Sequence, residues 1–255
     1  MSTTGEAGTL ERSSARASPL DHARAVLFTL YQSVVTPPYA IFMLAFFWLP
    51  IRARYALARF WCSLMLFGAR WICGIRHRVI GMEHVPDEPC IILCKHSSTW
   101  ETLFLTQIFP PLAYVAKKEL LSVPFFGWAF RFAAPITIDR KAGQDAMVQI
   151  ATQGRERIAQ GFWIVVYPEG TRIRAGTRAR YKTGGCRLAG MMNLPILPVA
   201  HNAGWLWPKG VLGKRAGVVT LSVGPVIRAD ACELPALGQR VETWIEDEVA
   251  RLGPP

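Results

Sequence analysis

A chain of 255 residues with a net charge of +11 and a mean hydropathy of +0.21 has room for one sizeable domain plus an appendage, and it is too apolar for an ordinary freely soluble enzyme. Such a charge suits nucleic acid, an anionic membrane surface or phosphorylated substrates; nine tryptophans and thirteen phenylalanines set beside arginines favour the membrane over nucleic acid. The six cysteines (Cys62, Cys73, Cys90, Cys94, Cys186 and Cys232) are scattered through mostly apolar runs without zinc spacing, which argues against a disulfide framework and for buried thiols in a reducing compartment.

Met1 to Leu20 is polar and small and reads as a disordered tail. The apolar stretch starts only after Arg24, and no small-residue cleavage site follows it, so a signal peptide is not expected. From Arg24 to Arg52 there is no charge between the two arginines, long enough to cross a bilayer, but Pro37-Pro38 interrupts the run. A kinked transmembrane helix and a helix that dips in and returns are both open, with a buried core helix as the bland alternative. Between Arg52 and Ile75, Arg52, Arg59 and Arg70 fall on one helical face and Phe60, Leu64, Phe67 and Trp71 on another. That is an amphipathic helix suited to the interface plane. Residues 21–75 are therefore expected to form a two-helix membrane-associated segment.

From Ile75 onward, short apolar runs alternate with helical stretches, which predicts an α/β domain over 76–255: a mixed sheet flanked by helices. The expected strands are Cys90–Lys95, Ala113–Ala116, Ile136–Ile138, Trp163–Tyr167, Ile196–Ala200 and Val218–Val223. The expected helices are Thr99–Phe109, Gln144–Gln160, Gly185–Met192 and Val241–Leu252.

Cys94-Lys95-His96-Ser97-Ser98-Thr99-Trp100-Glu101 closes a strand and opens a helix. An imidazole there can act as a general base, provided that a partner fixes its tautomer. Glu101 can meet His96 if His96 precedes the helix and Glu101 lies in the first turn. The competing reading is a capping box, Ser98-x-x-Glu101, in which the glutamate only satisfies a backbone N–H. Further on, the strand Trp163–Tyr167 runs into Pro168-Glu169-Gly170-Thr171-Arg172. Strand ends in α/β folds gather ligands, Gly170 allows close backbone approach, and Arg172 offers a planar fork for phosphate. Lys117, Lys118 and Arg140 follow other strands, and Arg174, Arg178, Arg180 and Lys182 crowd the loop beyond. Singly these are solvated charges; converging on one edge they would make an anion site. Phe125 to Phe130 reads equally as apolar lining near a bilayer or as core.

Taken in order, these segments resemble the glycerolipid acyltransferase superfamily, specifically the 1-acylglycerol-3-phosphate O-acyltransferases. The resemblance rests on His96…Glu101 for that family's His-x4-Asp, on Ile136-Thr137-Ile138-Asp139-Arg140, on Tyr167-Pro168-Glu169-Gly170-Thr171-Arg172, and on Leu194-Pro195-Ile196-Leu197-Pro198-Val199, with Lys117 at a further recurrent position. It covers about Cys90 to Val223. Glu101 stands for the usual Asp, and Tyr167 for the usual Phe, a change expected to matter little. The resemblance implies that His96 takes the proton of an acceptor hydroxyl and that Glu101 orients it. It also implies that Glu169, Gly170, Thr171 and Arg172 line the acceptor site, and that Lys117 and Arg140 contact phosphate. The donor would be acyl-CoA or acyl carrier protein and the product phosphatidate from lysophosphatidate, with neither cofactor nor metal. The expected place is the cytoplasmic face of a bacterial inner membrane. Because His-x4-Glu also occurs in lipid A acyltransferases, another lysolipid or a lipid A-type acceptor is the alternative. A lipid hydrolase would want Gly-x-Ser-x-Gly, which the chain does not contain. A non-catalytic lipid-binding protein is the remaining rival.

Overall fold

The computed structural model describes residues 17–138, 145–228 and 233–255. Helix α1 (Pro19–Leu44) starts behind Ser18, whose hydroxyl accepts the Asp21 N–H while the Asp21 carboxylate accepts the Ser18 N–H, a reciprocal cap. The expected tail to Leu20 is thus too long, since Pro19 and Leu20 already belong to this helix; residues 1–16 lie outside the described residues. Pro37 and Pro38 do not end the helix, which runs on for 26 residues. Its partner α2 (Ile51–Trp71) holds it from the side. Tyr31 donates to the Leu64 carbonyl and Tyr39 to that of Leu57, and the Trp61 indole donates to Thr36 beside the proline pair. The paired positions run in opposite directions along the two helices, so α1 and α2 form an antiparallel hairpin. Gly68 lets α1 approach α2: a Cβ there would sit 2.5 Å from the Tyr31 ring.

After the hairpin come β1 (Ile75–Ile80), β2 (Ile91–Cys94), α3 (Trp100–Ile108), β3 (Leu112–Lys117), α4 (Phe126–Phe132), β4 (Ile136–Ile138), α5 (Asp145–Ala159), β5 (Trp163–Val166), α6 (Gly184–Met192), β6 (Ile196–His201), α7 (Ala203–Leu206), β7 (Gly217–Val223) and α8 (Leu234–Leu252). The seven strands order β1-β7-β6-β2-β5-β3-β4. The five from β6 to β4 are parallel; β7 runs antiparallel to β6 and carries β1 beside it. Every expected strand and helix is present to within a few residues, except that α8 begins at Leu234, well before Val241. Strand β1 was not expected: Arg76, His77 and Arg78 hide it, because it is an edge strand exposed along its middle. The short helices α4 and α7 were missed too.

Both sheet faces are buried, as in sheets whose connections are helical. Ile92, Cys94, Val165 and Val199 pack beneath α3 with Phe28, Cys62, Met65 and Ala69 of the hairpin. Ile91, Leu93, Ile164 and Ala200 face α5, α6 and α8. The hairpin therefore shares the main core. Two arginines of the expected basic face are engaged: Arg52 donates to the Gln160 carbonyl and Arg59 to that of Gln107, which ties α2 to the domain, while Arg70 stays exposed over the Trp71 ring. The aromatic face is the bare one, with Phe60, Phe67 and Trp71 55%, 60% and 68% exposed. By length and composition α1 is long and apolar enough to cross a membrane. Cys62, Cys73, Cys90, Cys94 and Cys186 are buried thiols, as expected; Cys232 lies outside the described residues.

Candidate active site

Parallel strands end on one edge, and that topology collects the polar residues. Lys95 and His96 follow β2, Lys117 ends β3, Tyr167 to Arg172 follow β5, and His201 ends β6. The pleat sorts them by face. Lys95 continues the ladder by donating its N–H to the Val199 carbonyl, and its side chain turns toward α8, while His96 turns toward α3.

The imidazole of His96 and the carboxylate of Glu101 meet at 2.7 Å, Nδ1 to Oε1. A carboxylate only accepts, so Nδ1 carries the hydrogen and Nε2 keeps its lone pair when the ring is neutral. The same Oε1 accepts the Ser98 N–H at 3.2 Å, so the capping role and the orienting role fall on one oxygen. The box itself is incomplete. Ser98 Oγ accepts from Trp100 N, two residues on, and donates to the Trp207 carbonyl at 2.6 Å. Glu101 is fully buried, while the His96 side chain keeps 17% of its surface open. Tyr167 stacks on the imidazole, centroids 3.9 Å apart, and its hydroxyl lies 2.9 Å from Thr102 Oγ1 on α3. The phenol therefore fixes the ring plane and is anchored by its own oxygen, a part that a phenylalanine would not fill. Burial holds that phenol well above its ordinary pKa, so it stays neutral.

Glu169 departs from its expected place. It is 5% exposed, and its Oε1 accepts the His96 backbone N–H at 3.2 Å and lies 3.5 Å from the Lys95 ammonium. It braces the loop that carries His96 and does not line the cavity in front of it. Burial pushes its carboxyl above the ordinary range, against the pull of Lys95. The Lys95 ammonium in turn sits 2.6 Å from Glu246 of α8, which also accepts the Tyr181 hydroxyl at 2.8 Å. Lys95, Tyr181, His201 and Glu246 were not singled out from the sequence. A lysine buried at the end of an apolar strand was the one visible signal; Glu246 lies about 150 residues away in a helix whose apolar stripe reads as plain packing.

Gly170 has φ +69° and returns its N–H to Tyr167, so the turn needs a left-handed residue there. Arg172 Nη1 donates to Thr99 Oγ1 at 2.7 Å, which spends one of five donors and leaves the rest over the start of α3. Gly170, Thr171, Arg172 and Lys117 border a cavity of about 1190 Å³ together with His96. Lys182 and Arg187 add two more cations, and the lining extends through Leu103, Phe130 and Ala133 to Ala58, Cys62 and Met43 of the hairpin. Of the aromatic run at 125–130, Phe130 borders this cavity and packs against the main core, while Phe125 and Trp128 are exposed and so are not core. Arg140 lies outside the described residues. Among the described residues no group of three His, Cys, Asp or Glu could hold a metal ion. A base with a fixed tautomer, a cluster of cations and a long apolar recess suit an amphiphile that carries phosphate and a hydroxyl.

Comparison with known proteins bears on the same residues. A family model described as Acyltransferase matches residues 76–202. The chain is 44% identical over 210 residues to the 1-acyl-sn-glycerol-3-phosphate acyltransferase of Pseudomonas aeruginosa, covering 81% of this chain and 82% of that one. It is 35% identical over 132 residues to the yeast (Saccharomyces cerevisiae) 1-acyl-sn-glycerol-3-phosphate acyltransferase, 49% of this chain and 43% of that one. The crystal structure of the 1-acyl-sn-glycerophosphate acyltransferase of Thermotoga maritima superposes with a TM-score of 0.74 at 23% identity, covering 91% of this chain and 97% of that one, a likeness of fold.

Proposed function

The chain belongs to the 1-acyl-sn-glycerol-3-phosphate acyltransferases, and on that premise we propose that His96 is the general base of an acyl transfer held in register by Glu101, Tyr167 and Glu169. The enzyme makes phosphatidate from lysophosphatidate and an acyl thioester in phospholipid synthesis. The acceptor oxygen attacks the thioester carbonyl, and its proton passes to His96 Nε2. The carbon–sulfur bond breaks, the ester remains, and the leaving thiolate takes the proton back from the imidazolium. Glu101 keeps Nε2 as the acceptor and balances the charge that forms on the ring. The acyl chain is itself a substrate, and no cofactor enters. Arg172, Lys117, Lys182 and Arg187 are the groups for the phosphates of acceptor and donor, whether the donor is acyl-CoA or acyl carrier protein. The hydrocarbon recess opens among α1, α2 and α3, where the hairpin would lie on or in the cytoplasmic leaflet of an inner membrane.

The observation that carries this reading is the 2.7 Å contact of His96 Nδ1 with a carboxylate that has no exposure, facing a cavity rimmed by cations. Transfer of a labelled acyl chain to lysophosphatidate by purified protein tests it. His96→Ala is expected to lose at least about 100-fold of kcat, the usual worth of a positioned general base, and to remain bound to membranes. Substantial residual turnover would remove His96 from the role. Release of free fatty acid without an acceptor would turn the reading toward a hydrolase.

A further inference from the structure

His201 closes β6 on the same edge as the catalytic pair and takes no part in the reaction as described. It is 1% exposed, and its two ring contacts permit one protonation state. The Ala203 amide only donates, so Nδ1, 3.1 Å away, is bare. The Lys95 carbonyl only accepts, so Nε2, 2.9 Å away, carries the hydrogen. The ring is a neutral donor aimed at the peptide from which His96 extends. Burial works in the same direction by disfavouring the charged imidazole.

Glu101 supplies the second observation. Its Oε1 receives the His96 and Ser98 N–H groups, whereas its Oε2 is buried with no hydrogen-bond partner among the described residues. Facing that oxygen is Nε2 of His201, at 3.7 Å. The separation exceeds a hydrogen bond, but an oriented N–H dipole in a dry interior still favours a charged carboxylate. We infer that His201 is a positioning residue for acyl transfer: one neutral imidazole joins the Lys95 carbonyl to the free oxygen of Glu101, and so sets both the backbone and the carboxylate that hold His96. The inference rests on the reading of His96 as the base. It places a second histidine behind the first, where the first meets substrate and the second meets only protein.

The test uses the full chain in detergent with lysophosphatidate and acyl-CoA. His201→Leu removes the N–H at similar volume, and His201→Gln keeps a donor of similar reach. His201→Leu is expected to lower kcat on the order of 10- to 100-fold, the cost of a small misplacement of a reacting group, with the acceptor KM within about twofold. His201→Gln is expected to recover most of that loss. Added to Glu101→Gln, His201→Leu is expected to cost less than about threefold more, because the group it acts through is already gone. An unchanged kcat in His201→Leu, equal losses in Leu and Gln, or losses that multiply fully with Glu101→Gln would overturn the role. Should His201→Leu not fold, nitrogen-15 histidine NMR of the wild-type enzyme decides. A neutral Nε2–H tautomer for His201 near neutral pH is expected, and an Nδ1–H tautomer or a cation overturns the inference. His96→Ala, run alongside, separates the two readings. If it stays active, both fall; if it is inactive while His201→Leu is fully active, only the positioning role of His201 falls.

Discussion

Three neighbours restrict His96, and a fourth side chain, Arg172, borders the same cavity. Glu101 fixes its tautomer, Tyr167 its ring plane, Glu169 its amide, and Arg172 stands ready beside it on Thr99. Of these, Arg172 is the one exposed to solvent, and on the proposed reading it meets the acceptor phosphate. Its replacement by alanine removes charge-assisted hydrogen bonds worth about 1.5–3 kcal/mol, so the acceptor KM should rise by roughly 10- to 100-fold with kcat changed far less. Steady-state kinetics with varied lysophosphatidate checks this, and an unchanged KM would place the phosphate elsewhere. A second expectation concerns acid. Burial pushes the His201 pKa below its ordinary value, against the pull of Glu101 and the Lys95 carbonyl, while Lys95 and His96 push it further down. The unfolded chain binds a proton below a pKa of about 6.5 that the native ring refuses. Stability supplied by this site is thus complete above that pH and is lost as pH falls through it, by up to about 1.4 kcal/mol per unit until the native ring titrates. Thermal melting at pH 7 and pH 5 should show a smaller drop in His201→Gln than in the wild type. Burial also lowers the His77 pKa, so His77 contributes in the same direction and remains in the variant.

Among the elements, α8 has a role that its apolar stripe conceals. It packs Leu237, Val241 and Ile245 under the sheet and places Glu246 next to Lys95, so the carboxyl-terminal helix neutralises a charge directly behind the catalytic loop. Breaking a buried pair from one side costs about 3–5 kcal/mol, and Glu169, 3.5 Å from the ammonium, would remain as the partner of Lys95. Glu246→Gln should therefore lower the melting temperature by roughly 6–20 °C, taking about 2–4 °C per kcal/mol for a chain of this size. The double change Lys95→Met with Glu246→Gln should regain part of that loss. Calorimetry on the single and double variants checks it, and a double variant less stable than Glu246→Gln alone would mean that Lys95 has partners that matter more. Arg178 reaches Glu246 as well, at 3.7 Å, but it is 69% exposed and its contribution is screened.

At the scale of the molecule, the hairpin is fastened to the domain and open on its other side. Phe28 of α1 lies edge-on to Trp207, whose carbonyl receives Ser98 of the catalytic loop, so the depth of α1 and the position of that loop are linked. Phe60, Phe67 and Trp71 form one exposed aromatic row on α2. Replacing the three by aspartate forfeits roughly 2 kcal/mol of burial per side chain in a lipid interface and adds repulsion from anionic headgroups. The triple variant should fail to sediment with vesicles of anionic phospholipid while still acylating lysophosphatidate in detergent micelles. Loss of activity in detergent as well would mean that this row packs against protein and not lipid.

Local pattern was sufficient for six of the seven strands and for the longer helices of the domain, because apolar runs and their polar breaks are properties of neighbouring residues; the charged edge strand β1 and the short helices α4 and α7 carry no such pattern. Local pattern made the contact of His96 with Glu101 possible, since a strand end and one helical turn supply the geometry, but it left a plain cap as the competing reading, and the structure puts both roles on one oxygen. Resemblance extended this to the reaction. What a linear reading could not supply came from residues far apart in the chain: Glu246 beside Lys95, His201 behind Glu101, Glu169 turned inward to hold an amide. It also could not show that α1 continues through Pro37-Pro38, or that Arg52 and Arg59 of α2 reach carbonyls of the domain. Each of those outcomes depends on which surface a neighbour covers, and a buried charge or an unpaired carbonyl finds its partner only after the sheet has brought separate strand ends to one edge.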